Sequence, residues 1–253
     1  MLSGVASIQD CYYKEFRLQF YGNLSESNYQ TIFSAEGMYY GNTLSMCTDF
    51  CTEDLRCIGI EICQVRENWF QCRVCCAWLK TGKNYTSEQP GCKYFETEYE
   101  SRQKLVATTA SSSSVFDDSA KFKASNAIDG SARCEVGDNI NLTHTNLQIN
   151  PWLKVSLINT SIVERVLIYN RQDCCGERLH DVRVDITENG HNVSCGFYPG
   201  PAVTGDRILF LCEKDTRGNG VTISILSKDG QPDSEMSRKA SGTIRCLRNR
   251  QKE

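Results

Sequence analysis

Histidine is scarce in this chain, and long apolar runs and basic excess are absent. Three histidines stand in 253 residues. They are too few for Cys/His zinc sites, and no paired Cys-x2-Cys…Cys-x2-Cys pattern accompanies them. No run approaches the roughly 20 apolar residues of a membrane helix. The formal net charge is −3, so the basic footprint of a nucleic-acid binder is missing. No His-Glu-x-x-His, phosphate-binding loop or Gly-x-Ser-x-Gly appears. No carboxylate pair around a cleft is legible either, and the chain reads as a binding protein without enzyme activity. The first seven residues, Met-Leu-Ser-Gly-Val-Ala-Ser, lack the basic and apolar regions of a signal peptide. They read as an incomplete start, so the expectation of a secreted, extracellular protein rests on other residues.

Those residues are the cysteines. Fifteen in 253 is a density that suits disulfides in an oxidising compartment. Five Asn-x-Ser/Thr sequons, at Asn23, Asn84, Asn141, Asn159 and Asn192, add modest weight. Nine cysteines precede residue 100 and six follow residue 130. Between them lies Thr108-Thr-Ala-Ser-Ser-Ser-Ser114, which reads as a linker or as the approach to a first strand. The boundary is placed at 104, giving a cysteine-rich module (1–104) and a second domain (105–253).

The second domain reads as mainly β. Short apolar or alternating segments stand at 152–157, 163–169, 182–186, 208–211 and 221–226. Turn signals separate them at Asn189-Gly190, Pro199-Gly-Pro201, Gly218-Asn-Gly220 and Asp229-Gly230. Strands at that spacing predict a β-sandwich or jelly roll. In the first module, Thr43 to Leu55 places Cys47 and Cys51 on one face of a short helix, and 57–62 reads as a strand. This is a small disulfide-stapled α+β module. Cys75 and Cys76 are expected to pair with different partners, and an odd count leaves one cysteine over. His180 and His191 read as surface residues.

One cluster carries chemistry. Arg171-Gln-Asp173-Cys174-Cys175-Gly-Glu-Arg178 holds two guanidiniums, two carboxylates and adjacent cysteines, and 26 residues separate it from His144. A sugar hydroxyl exchanges water for protein donors at little net gain, so its donors must be fixed beforehand. Asp173 can hold one or both guanidiniums by charge-assisted hydrogen bonds. Arginine planes then present spare N–H groups that lysine would present less well. His144 supplies another directional group. Alone, the arginines would read as solvated surface charge, and Cys174 and Cys175 could each pair elsewhere.

The register His144, 26 residues, Arg171-x-Asp173, four residues, Arg178 resembles the sugar-binding motif of the F-type lectins, the fucolectins of eel agglutinin type. Asn126-Ala-Ile-Asp-Gly130, Thr143-His-Thr145, Asn150-Pro-Trp152 and Tyr169-Asn-Arg171 agree as well. The resemblance covers about 105–250. It implies a discoidin-like jelly roll that binds α-L-fucose on fucosylated glycans or glycoproteins. His144, Arg171 and Arg178 would take the axial 4-hydroxyl and ring oxygen, and a Cys174–Cys175 bridge would form an apolar plate. It also implies a Cys195–Cys212 disulfide and a setting in innate defence or cell-surface recognition. Because single sugar sites are weak, a homo-oligomer is expected. The rival expectation is a discoidin-like adhesion or matrix module that has lost sugar binding.

The resemblance further implies structural calcium (Ca2+) on oxygens of Asn126, Asp129, Ser131, Asn141 and Cys246. Here the pattern departs. The glutamate expected after Cys246 is Leu247, and a cysteine expected just before Thr143 is Leu142. Cys134 is the implied substitute partner for Cys246. A glycan on Asn141 would crowd His144, so Asn141 is expected to be unmodified or to tune access. More weakly, Cys47-Thr-Asp-Phe-Cys51 followed by Leu55-Arg-Cys57-Ile-Gly-Ile60 resembles PAN/apple modules.

Overall fold

A computed structural model of the chain describes residues 16–24, 26–54, 56–81, 86–87, 91–97, 103–131, 134, 142–227 and the strand at 241–248. The first part contains β1 (Phe16–Tyr21), β2 (Asn23–Leu24), β3 (Tyr29–Gly37), α1 (Tyr40–Glu53), β4 (Gly59–Arg66), β5 (Trp69–Thr81), β6 (Thr86–Ser87) and β7 (Cys92–Thr97). The second contains β8 (Gln103–Lys104), β9 (Ala107–Ser112), β10 (Thr143–His144), β11 (Trp152–Ile162), β12 (Arg165–Asn170), β13 (Val182–Glu188), β14 (His191–Tyr198), β15 (Arg207–Leu211), β16 (Arg217–Ile225) and β17 (Ser241–Arg248).

Helix α1 forms where the sequence pattern puts it. Its buried residues Thr43, Cys47 and Cys51 recur every four positions and so share one stripe. That stripe faces a buried cluster containing Ile60, Ile62 and Val74. Disulfides fix it there: Cys47 bonds Cys72 of β5, and Cys51 bonds Cys57 just before β4. Cys63–Cys92 ties β4 to β7. Cross-links of this kind each contribute about 2–4 kcal/mol, chiefly by restricting the unfolded chain. Cys75 and Cys76 bond each other, a correction to the expectation of separate partners. The six other described cysteines of this module are already paired among themselves, which leaves these two only one another. Cys11 lies outside the described residues.

The second part is an antiparallel β-sandwich. One sheet runs β14-β13-β16-β11-β9, and the other carries β15-β12-β17-β10. Their inner faces share a core that includes Val155, Ile168, Val184, Phe210 and Val221, all 3% exposed or less. Burying each such side chain contributes roughly 1.5–3 kcal/mol. Among the described residues the short regular elements besides strands here are 3-10 turns, and no long helix interrupts the layers. Asn189 (φ 51°) and Gly190 (φ 82°) turn β13 into β14, as the Asn-Gly signal predicts. Cys195–Cys212 then joins β14 to the end of β15.

Two sequence expectations change. Gly218-Asn-Gly220 is not a turn but lies inside β16. A Cβ on Gly218 would come 2.5 Å from Ile186 Cγ2 and Thr187 O, so glycine permits a close approach of β13 to β16. The register with β11 also shifts there, between Ser156 and Ser161. The polar 108–114 stretch supplies β9, an edge strand paired with β11, so its strand reading holds over its linker reading. The Asp229-Gly230 signal lies outside the described residues.

The larger sheet does not stop at residue 104. Strand β5 pairs antiparallel with β15, with Phe210 opposite Trp78 and Ile208 opposite Lys80. Trp78 enters the sandwich core and meets the Tyr198 ring edge-on at 4.7 Å. Long-range charge also crosses the boundary: Arg165 acts on Glu96, and Glu213 acts on Arg56.

Candidate functional site

Strand pairing brings the predicted site residues to one end of the larger sheet. Gly242 of β17 stands opposite both Thr143 and Asn170. One step on, Ser241 stands opposite His144, and Arg171 follows Asn170 on the other side. With strands about 4.7–4.9 Å apart, the backbones of β10 and β12 are about 10 Å apart here.

Asn170, 2% exposed, closes the loop that follows β12. Its Oδ1 accepts the Arg171 N–H at 2.8 Å, and its Nδ2 donates to Gly176 O (2.9 Å) and Val203 O (3.0 Å). Cys175 stands at φ 61°, a left-handed conformation costly for a non-glycine residue, and bonds Cys174. The adjacent bridge that the resemblance implies is therefore present. Gly176 opens a one-turn 3-10 segment that ends at Arg178, and buried Leu179 anchors its far end. A Cβ on Gly176 would overlap the backbone of Val203 and Thr204, so only glycine fits.

The two arginines differ. Asp173 grips Arg171 bidentately, with Nε to Oδ1 at 2.6 Å and a terminal nitrogen to Oδ2 at 2.8 Å. The hydrogen bond to Asp173 raises the Arg171 pKa beyond its ordinary value, against the opposing effect of burial; the charge of Asp173 adds to the rise. Arg178 is half-buried, and among the described residues its guanidinium has no carboxylate partner. The loop thus presents one aimed guanidinium, one unneutralised guanidinium and a disulfide between them in sequence.

His144 sits deeper. It is 2% exposed, and its ring lies 4.3 Å from Phe116 and 5.1 Å from Phe122, centroid to centroid. His180 is not a surface residue as expected: it is 7% exposed and its Nδ1 lies 2.9 Å from Asp181 Oδ2. Asp181 at φ 48° turns its carboxylate back onto the neighbouring ring. His191 is exposed.

Two of the residues implied for calcium, Asn126 and Asp129, also hydrogen-bond protein groups. Asn126 Nδ2 donates to Lys121 O (2.7 Å) and Leu142 O (3.1 Å). Asp129 Oδ1 accepts the Ser131 N–H at 2.7 Å, a local turn bond. Asn141 and the Cys246 side chain lie outside the described residues, and so does the Cys134–Cys246 pairing. Calcium takes 6–8 oxygens; the Asn126 bonds use its nitrogen and the Asp129 bond uses Oδ1, so these contacts leave Asn126 Oδ1 and Asp129 Oδ2 available to an ion. Elsewhere, Glu61, Cys63 and Cys92 form a compact group of metal-ligating types. Cys63 and Cys92 are joined as a disulfide, so neither offers a thiolate. Glu61 is taken by the Leu24 N–H (2.7 Å) and the Arg73 guanidinium (2.5 Å).

Sequence reasoning missed the groups that shape the loop from behind: Thr204 and Asp206, before β15. Gly176 N–H donates to Thr204 Oγ1 (3.2 Å), and Asp206 Oδ2 accepts the Val203 N–H (2.7 Å). The Thr-Gly-Asp run before a strand is itself a turn signal and could have drawn notice.

Residues 126–225 match the NedA-like, galactose-binding domain. The chain is 37% identical over 98 residues to a fucolectin of Anguilla anguilla, and 36% identical over 104 residues to fucolectin-6 of Anguilla japonica. These stretches are 37% and 40% of this chain, and 61% and 55% of those relatives' own lengths. Among solved structures it is similar to a fucose binding module of Streptococcus pneumoniae (20% identity, TM-score 0.49, 60% of this chain and 99% of that one). It is also similar to a fucolectin from Morone saxatilis serum (16%, TM-score 0.48, 77% and 73%). Over its C-terminal part the chain is therefore similar to the fucolectins and to the NedA-like, galactose-binding domain, and it spans a little over half the length of those relatives.

Proposed function

We propose that the chain is a lectin that binds terminal α-L-fucose on glycans. The observation that carries the reading is the loop 171–178, where Arg171 is held rigid by Asp173 and Arg178 keeps its guanidinium unneutralised beside a bridged cysteine pair. Fixed planar donors give up little entropy when a hydroxyl arrives. The disulfide offers a small apolar surface to the sugar's less polar face. His144 closes the inner end of the site from β10. The fucolectin relatives supply the sugar's identity.

The reading needs no catalysis; a calcium ion would rest on oxygens such as Asn126 Oδ1 and Asp129 Oδ2, without the glutamate that Leu247 replaces. Secretion into an oxidising compartment follows from the disulfides, and a role in innate or cell-surface recognition from the family. Several copies would supply the avidity that one weak site lacks. A domain boundary at 104 and a PAN/apple-like first module remain part of this reading.

One observation favours the second reading, a discoidin-like adhesion module without sugar binding: the 2% exposure of His144. A glycan array with the wild type and Arg178→Ala separates the two. Fucoside binding that the substitution abolishes supports the lectin. A folded wild type silent toward every fucoside supports the adhesion module.

A further inference from the structure

We propose that Lys80, in the N-terminal module, is a positioning residue for the sugar loop, so that the two modules form one binding unit. The inference rests on the fucose reading above.

Strand alternation puts Trp78 and Lys80 on the same face of β5. Trp78 fills the sandwich core. Lys80 follows it inward: it is 5% exposed, and its Nζ lies 5.8 Å from the centroid of the Tyr198 ring. An ammonium buried this far requires a compensating carboxylate. Asp206 provides it at 3.2 Å, its own side chain 12% exposed.

Asp206 is also the lock of the 203–206 turn, because its Oδ2 takes the Val203 N–H at 2.7 Å. Every residue of that turn then holds the sugar loop. Val203 O accepts from Asn170 Nδ2 (3.0 Å), and Thr204 Oγ1 accepts from the Gly176 N–H (3.2 Å). Gly205 N–H donates to Arg171 O (2.6 Å), and Asp206 O accepts the Asn170 N–H (2.8 Å). Four hydrogen bonds, spread over the loop that carries both arginines, end on four consecutive residues. Lys80 compensates the charge that keeps those residues in place. Without it, the Asp206 carboxylate is a poorly solvated anion, and turning toward water relieves that cost at the expense of the Val203 bond. The loop then loses its backing while its own residues are unchanged.

The test uses the full chain with Lys80→Met, Lys80→Arg and Asp206→Asn. Two quantities are read: affinity for methyl α-L-fucoside by calorimetry, and amide hydrogen exchange at Gly176 and Gly205 against a core amide, Val184. Lys80→Met is expected to weaken binding roughly tenfold, within the range of ordinary site-to-site coupling, and to speed exchange at Gly176 and Gly205 more than at Val184. Lys80→Arg retains both. Asp206→Asn, which keeps the shape of the carboxylate, gives the same selective loss and stands in if Lys80→Met does not fold. Wild-type affinity together with wild-type exchange in Lys80→Met overturns the proposal. So does exchange that rises equally at all three amides, the mark of general destabilisation. A wild type that binds no fucoside defeats the sugar reading alone, and the exchange comparison still decides the brace.

Discussion

Asp173 holds Arg171 by two parallel hydrogen bonds, Nε to Oδ1 at 2.6 Å and a terminal nitrogen to Oδ2 at 2.8 Å. Only one residue separates them, so the pair is local to the loop and contributes little to the fold. Its effect is to leave the far edge of the guanidinium pointing in one direction. Asp173→Asn loses one acceptor oxygen and the charge. Hydrogen bonds to charged groups contribute about 1.5–3 kcal/mol, so fucoside affinity should fall by 10-fold or more. The melting temperature should stay within about 2 °C of wild type, because such a partly exposed pair adds little stability. An affinity unchanged by calorimetry would mean that Arg171 is aimed by other groups.

The adjacent disulfide holds a backbone that resists its own conformation. Cys175 stands at φ 61°, which costs a non-glycine residue roughly 1–2 kcal/mol. The Cys174→Ser/Cys175→Ser variant removes the bridge and lets residue 175 relax to negative φ. Arg178, three residues on, then changes direction. Fucoside binding should weaken markedly while the thermal transition moves little. Equal affinity in a glycan-binding titration would show that the bridge is dispensable.

Gly176 is where the loop meets the turn behind it. A methyl group there would overlap the backbone of Val203 and Thr204, and neither is the flexible end of a side chain. Overpacking of this sort typically costs 1–3 kcal/mol. At about 2–4 °C per kcal/mol for a chain of this size, Gly176→Ala should lower the melting temperature by several degrees and abolish fucoside binding. A variant that melts with wild type would show that the turn moves freely.

The C-terminal strands and the 171–178 loop were legible because each depends on local signals: alternation in 182–186, Asn189-Gly190 at a hairpin, and a cluster eight residues long. Gly218-Asn-Gly220 misled because the glycines serve a close approach between strands, a long-range requirement with the composition of a turn. β14 escaped notice because His191 to Ser194 are all exposed, so no apolar alternation marks its first half. The burial of His180 and the pairing of β5 with β15 depend on residues far apart in sequence. Nothing near Lys80 announces Asp206, 126 positions away.

Calcium gives a direct check on the 126–131 loop. Protein bonds from Asn126 Nδ2 and Asp129 Oδ1 already shape this loop, and Leu247 stands where a charged ligand is expected, so any ion is weakly held. Dialysis against EDTA should leave both the melting temperature and fucoside affinity unchanged. A tightly held ion at 100 times its dissociation constant would add about 2.7 kcal/mol. A melting temperature that falls on chelation and returns with calcium but not magnesium would show that a cage forms after all.

Glu96 of β7 sets a pH dependence between the modules. Burial raises its pKa above the ordinary 4.5, and the nearby charge of Arg165 offsets only part of that rise. A carboxyl whose folded pKa is raised favours the folded state when protonated. Its contribution is therefore fully present below the unfolded value and is lost as pH rises through the folded one. At pH 7 the ionised Glu96 is a net cost. Glu96→Gln resembles the protonated form, so it should melt slightly higher than wild type at pH 7 and converge with it near pH 4. Melting curves of both proteins at several pH values test this. A variant less stable than wild type at pH 7 would mean that attraction to Arg165 outweighs the burial of the charge.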